Sequence, residues 1–243
     1  MKRLLYGFAA VVIVLAVGTA QAVNFEGSAV GSWSNVVSVA FDDLYSISNN
    51  DVGGVAAFNW GTGGPPPQTS FNNMFTFDGV GSDGDPGWSA PDETPFVVGA
   101  FSYRNGSTYN STGVNGVDLN VAMTITTPLG VSDTFSFGFQ ITNTPNNTGN
   151  AVLDGDIVTV TSSFSPTVFN YDGVIYTFEL LGFSSNAGGT IRTDFSSPEG
   201  ATANALVYGR ITSEIPSVPE PATMLLLGFG LIGLWGARKK FKK

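Results

Sequence analysis

Val117-Asp118-Leu119-Asn120-Val121-Ala122-Met123-Thr124-Ile125 and Thr134-Phe135-Ser136-Phe137-Gly138-Phe139-Gln140-Ile141 alternate apolar and polar side chains almost without a break. A strand sends successive side chains to opposite faces, so a period of two marks a strand with one face buried and the other wet. Pro128-Leu129-Gly130 lies between the two runs and predicts a hairpin connection. These two stretches set antiparallel β structure as the local rule.

Working outward, the same reading expects strands at 36–41, 55–60, 73–77, 96–103, 156–163, 174–183, 190–195 and 205–211. Asp172-Gly173 is a turn dipeptide just before Val174. Between these runs, Gly, Ser, Thr and Asn crowd the gaps, as loops require. No segment of the body sustains a helical period, and no internal repeat suggests a propeller or solenoid. The expectation is an all-β fold, an antiparallel β-sandwich of about ten strands. Two loops are distinctive. Gly63-Gly64-Pro65-Pro66-Pro67 is a stiff run after Trp60, and 142–150 is a polar loop after the strand ending near Ile141.

Both ends of the chain break this pattern. At the N-terminus, Lys2 and Arg3 precede an apolar run from Leu4 to Val17, and Ala20-Gln21-Ala22 follows as an A-x-A site. That is the layout of a secretory signal peptide over 1–22, cleaved by signal peptidase so that the mature chain starts at Val23. At the C-terminus, Val218-Pro219-Glu220-Pro221 precedes an apolar run, Ala222–Ala237, and then Arg238, Lys239, Lys240, Lys242 and Lys243. The prolines keep the tripeptide extended and open to an enzyme. The apolar run of 16 residues would make a helix about 24 Å long, short against the roughly 20 residues a bilayer core takes. Gly228, Gly230, Gly233 and Gly236 give it a small-residue face, and the cations would hold the tail on the cytoplasmic side.

Between the ends lies one domain, residues 23–215, long enough to bury a core of its own. Its cations are Arg104, Arg192 and Arg210, against eighteen acids, a net charge of −15; the whole chain carries −9. No lysine occurs between Lys2 and Lys239. Such a surface repels nucleic acid and anionic headgroups, so no nucleic-acid partner is expected. Cysteine and histidine are both absent. The body must therefore be held by its core rather than by disulfides. Ser-His-Asp and Cys-His nucleophilic sites are excluded, as is a histidine zinc centre.

The C-terminal order of Val218-Pro219-Glu220-Pro221, Gly-rich apolar helix and basic cluster resembles the PEP-CTERM sorting signal, recognised by the membrane protease-like exosortases. The resemblance implies export by the general secretory machinery and transient anchoring in the inner membrane through 222–237. It further implies cleavage near Pro219-Glu220-Pro221, with transfer to another acceptor at the cell surface or in the extracellular matrix. The domain layout is then signal peptide 1–22, β-sandwich body 23–215 and sorting segment 216–243.

The body is similar to the THxN family of PEP-CTERM proteins. The likeness rests on Gly31–Val37, Phe58–Thr62, Phe96–Asn105, Phe135–Asn146 and Tyr176–Phe183. The motif that names the family falls on Ser102-Tyr103-Arg104-Asn105, where Ser replaces Thr, Tyr replaces His and Asn105 is kept. A role resting on the histidine does not transfer, and the resemblance implies no enzymatic activity.

Candidate chemistry in the body is sparse. Asp83-Gly84-Asp85 and Asp154-Gly155-Asp156 place paired carboxylates on tight turns, suited either to calcium ligation or to plain solvation. Asp42-Asp43 and Asp92-Glu93 offer adjacent carboxylates for glycoside hydrolysis, although neighbours on a strand face opposite ways. Trp33, Trp60, Trp88 and Tyr109 could stack sugar rings or fill the core. Three functions follow: a non-enzymatic envelope or matrix protein associated with exopolysaccharide, a carbohydrate-binding module with or without calcium, and a glycosidase. An exposed aromatic row would mark the second, and a cleft with two carboxylates about 5–10 Å apart the third.

Overall fold

A computed structural model describes residues 22–39, 44–49, 55–65, 69–82, 84, 86–109, 112–128 and 130–214. The apolar run 4–17 and the sorting segment 216–243 lie outside the described residues. Within them the chain forms strands and no α-helix.

The strands run β1 Asn24–Ser38, β2 Tyr45–Ser48, β3 Ala56–Trp60, β4 Asn73–Gly79, β5 Trp88–Pro91, β6 Phe96–Arg104 and β7 Val114–Thr127. They continue as β8 Val131–Thr142, β9 Asp156–Val160, β10 Phe164–Tyr171, β11 Val174–Ser184, β12 Asp194–Ser197 and β13 Thr202–Glu214. These are thirteen strands where about ten were expected. They form two antiparallel sheets, one of six strands in the order β12-β9-β8-β7-β1-β5, the other of seven in the order β10-β11-β13-β6-β4-β3-β2.

The alternating runs behave as read. β7 and β8 pair from Gly116↔Gln140 to Ile125↔Val131, with Pro128 and Gly130 in the connection. Val117, Leu119, Val121, Met123 and Ile125 face inward and are buried, as are Phe135, Phe137, Phe139 and Ile141 opposite. Asp172-Gly173 turns β10 into β11, both residues at positive φ (50° and 78°), as a two-residue hairpin with the right twist demands.

Three strands were unread and two were displaced. β2 and β5 are four-residue edge pieces, too short to show a period. β10 carries Pro166, which an edge position tolerates because no ladder donor is needed there. The strand expected at 190–195 forms at Asp194–Ser197. The expected 36–41 strand is the tail of the 15-residue β1. In β1 the inward positions are Phe25, Gly27, Ala29, Gly31 and Trp33, so two glycines hide the alternation.

Those glycines are required by the packing. A Cβ on Gly31 would lie 2.2 Å from Phe77 Cδ1, and one on Gly99 would lie 2.5 Å from Phe77 Cζ. The Phe77 ring thus presses on bare backbone of the facing sheet and of its own neighbour strand. Around it the two sheets share one aromatic core. Trp33 of the first sheet meets Phe58, Phe75 and Phe101 of the second at centroid distances of 5.7–6.5 Å. Phe135 and Phe137 meet Phe178 edge-on at 5.5 Å. Edge-to-face pairs of this kind add about 0.5–1.5 kcal/mol each beyond the area they bury.

Candidate functional site: a polar cleft at one end of the sheets

Several strand termini meet at one end of the body. β6 ends at Arg104, which sits beside Met74 near the start of β4 and Thr202 at the start of β13. β8 ends at Thr142, opposite Ile157, and Asp156 at the start of β9 is opposite Ser197 at the end of β12. The loops that leave these termini, 105–113 and 143–155, are rich in Gly, Ser, Thr and Asn. Loops held by a rigid scaffold are the usual carriers of binding function.

Beneath the loops lies a buried polar network. Tyr103, fully buried, donates its hydroxyl to Asp156 Oδ2 at 3.0 Å. The Thr144 backbone N–H donates to Asp156 Oδ1 at 2.8 Å, and Thr144 Oγ1 donates to the Asp154 carbonyl at 2.6 Å. Asn105 Nδ2 donates to the Ser197 carbonyl at 3.0 Å, and Ser197 Oγ donates to the Tyr103 carbonyl at 2.8 Å. Asn105 is fully buried, yet its Oδ1 accepts no hydrogen bond; Glu199 Oε1 is likewise buried without a partner.

The electrostatics follow from this burial. Burial pushes the Asp156 carboxyl above its ordinary range, and the donors from Thr144 and Tyr103 offset only part of that. Burial, and then the Asp156 charge beside it, hold the Tyr103 phenol well above its usual value. Glu199 is pushed up to about 7, first by burial and then by repulsion from Asp156. Asp154 moves the other way: burial raises it, but hydrogen bonds from Thr148, Gly149 and Asn147 prevail and the net shift is downward.

Above the network opens a cleft of about 660 Å³. Its walls are Asn73, Gly106, Ser107, Thr108 and Tyr109 on one side and Asn143, Thr144, Pro145 and Asn146 on the other, with Val39, Gly113 and Asp156 completing it. Tyr109 is 43% exposed. Its backbone is fixed, since its N–H donates to the Thr62 carbonyl at 3.1 Å and its carbonyl accepts from Thr112 N at 2.9 Å and Thr112 Oγ1 at 2.7 Å. Its phenol end rests over Gly64, where a Cβ would come within 2.5 Å of the hydroxyl. Gly64 thus supports the aromatic rim of the cleft.

The candidates read from the sequence distribute unevenly over this geometry. Asp154 and Asp156 both lie at the cleft end, but in different roles. Asp154 gathers the 147–149 backbone, with Thr148 N at 3.1 Å, and Asp156 accepts from Tyr103 and Thr144. Among the described residues no three acidic side chains gather as a metal cage would need. Asp83, Asp85, Asp42 and Asp43 lie outside the described residues. Asp92 and Glu93 serve separate contacts: Asp92 Oδ1 accepts the Val23 N–H at 3.1 Å, and Glu93 Oε1 accepts from Thr212 Oγ1 and Ser213 N at 2.8 Å each. Trp33, Trp60 and Trp88 are buried, leaving Tyr109 as the exposed aromatic of the four. The polar loop at 142–150 forms a wall of the cleft. Glu199, Asn73 and Ser107 carried no sequence signal: Glu199 is a solitary acid, and Asn73 and Ser107 sit among other polar residues, so only topology brings the three together.

Of the signal-cleavage residues, Ala22 is exposed and Val23 leads directly into β1, while Ala20 lies outside the described residues. Val218, Pro219, Glu220 and Pro221 also lie outside them.

The body is thus an all-β domain of two antiparallel sheets with a polar cleft at one end. Comparison with protein-family models matches residues 217–240 to the PEP-CTERM protein-sorting motif. The chain therefore carries a PEP-CTERM sorting motif, which implies an exosortase as sorting partner, export, and transient membrane sorting to the cell surface. The match lies wholly C-terminal to the body, so the THxN resemblance rests on the body residues quoted above. A comparison with curated proteins found no match.

Proposed function

We propose that the processed body serves as a non-enzymatic envelope or extracellular-matrix protein associated with exopolysaccharide. The observation that carries this reading is the sorting motif on residues 217–240. The rest of the chain is consistent with the same route: a signal peptide with cleavage after Ala22, a cysteine-free body, and a net charge of −15 on 23–215 that disfavours nucleic acid and anionic membrane. The separate engagement of Asp92 and Glu93 supports the non-enzymatic reading.

The test is made in the native host. A simple anchor needs only the apolar run and the cations, whereas a sorting signal needs the tripeptide. Replacing Pro219, Glu220 and Pro221 together by Ala should leave full-length protein in the inner membrane, while wild-type protein appears without residues after about Pro221. Mass spectrometry reads both ends at once. Wild-type protein should also co-fractionate with extracellular polysaccharide and leave that fraction when polysaccharide synthesis is blocked. A mature pool that keeps Arg238–Lys243 would replace sorting by plain anchoring.

A further inference from the structure

We propose that the cleft beside Tyr109 is a docking groove for a neutral, hydroxyl-rich glycan segment; this rests on the polysaccharide reading above and gives it a place and a ligand class. The cleft, at about 660 Å³, lies within the range of small-ligand sites.

The lining suits sugar hydroxyls. Asn73, Ser107, Thr108, Asn143 and Thr144 present amides and hydroxyls to the cleft. Asn73 Oδ1 is taken by the Gly106 N–H and Asn143 Nδ2 by the Val114 carbonyl. Each amide is thereby fixed in orientation; Asn73 is buried, whereas Asn143 is exposed. Asn143 therefore offers an oriented amide at the surface of the cleft. A sugar hydroxyl, which both donates and accepts, can use such an amide together with the hydroxyls beside it. Tyr109 adds a partly exposed ring whose backbone is pinned by Thr62 and Thr112. A fixed flat ring can take the C–H face of a pyranose at little entropic cost.

Charge selects among glycans. The carboxylate in the lining is Asp156, with Glu199 and Asp154 interacting nearby, and no Arg or Lys is among the described lining residues. An anionic uronate chain would meet like charge here and across the −15 body. A neutral chain pays no such penalty.

The experiment uses processed protein recovered from the host and isothermal titration calorimetry. The probes are neutral gluco-, manno- and galacto-hexaoses, with hexagalacturonate as the anionic counterpart. At least one neutral hexaose should bind, and hexagalacturonate should not. Tyr109→Ala should weaken binding about tenfold with an unchanged Tm, and Tyr109→Phe should restore it. Equal binding of hexagalacturonate, failure of every neutral probe, or indifference to Tyr109→Ala would each overturn the proposal. The two readings separate in the host. If Tyr109→Ala protein still co-fractionates with polysaccharide as wild type does, the cleft assignment alone fails. If wild-type protein is absent from that fraction, the association itself fails.

Discussion

Single residues set the chemistry of the cleft end. Glu199 shows it most clearly, because folding raises its pKa from 4.5 to about 7 through burial and the Asp156 charge. The folded chain thus keeps a proton that the unfolded chain releases between those values. Its favourable contribution is fully present below pH 4.5, falls as pH rises, and is lost above about 7. Glu199→Gln removes the ionisation, so Tm of the variant should fall less between pH 5 and pH 8 than that of wild type. Parallel thermal curves for the two proteins would refute the assignment. A second residue-level expectation concerns Val23, whose N–H donates to Asp92 Oδ1 while Asp92 N donates back to the Val23 carbonyl at 2.9 Å. Cleavage after Ala22 turns that amide into an ammonium facing a carboxylate. Asp92→Asn should then cost the processed protein about 0.5 kcal/mol, in the range of exposed ion pairs. The cost should shrink when the α-amine is acetylated, as paired denaturant titrations would reveal.

At the level of strands, β1 lies one strand in from the edge of its sheet, between β5 and β7, and Gly31 lets it approach the second sheet closely. Gly31→Ala would put a methyl group 2.2 Å from the Phe77 ring, and Phe77 is wedged against Gly99 as well, so it has little room to retreat. Overpacking of this kind costs about 1–3 kcal/mol. Phe77→Leu in the same chain should recover part of the loss, giving a coupling energy of opposite sign in a double-mutant cycle. Additive effects would mean that the ring is not the obstacle. The hairpin of β10 and β11 obeys a different constraint. Asp172 and Gly173 both occupy positive φ, so the turn chemistry, rather than core packing, sets that register.

For the body as a whole, cohesion is aromatic and opposition is electrostatic. One continuous core holds two sheets, while Arg104, Arg192 and Arg210 are the cations among eighteen acids on residues 23–215. Arg210 pairs with Glu179 and approaches Glu93 at 4.0 Å, Arg192 pairs with Asp194 at 3.0 Å, and Arg104 sits over the Phe71 ring at 5.4 Å. The unneutralised acids repel one another through solvent. Raising ionic strength with a monovalent salt should therefore raise Tm of the processed protein by about 2–4 °C, equivalent to about 1 kcal/mol for a domain of this size. A melt that is flat or falling with salt would show that surface repulsion is not a significant term.

The sequence by itself determined the period-two strands β7 and β8, the turn at Asp172-Gly173, the all-β class and the sorting motif at the C-terminus. Each is encoded by residues adjacent in the chain: alternation, a turn dipeptide, or an ordered run of motif, apolar span and cations. The sequence did not determine β1, because Gly27 and Gly31 read as gaps in an apolar pattern until Trp88 is seen against the first and Phe77 against the second. Nor did it determine the cleft. Tyr103, Asp156, Ser197 and Glu199 come from different strands and loops, and only antiparallel register brings them to one end. Local pattern reports on hydrophobic burial along one strand. A polar site built from several strand ends depends on which strands are neighbours, and that is settled by packing two sheets around a shared core.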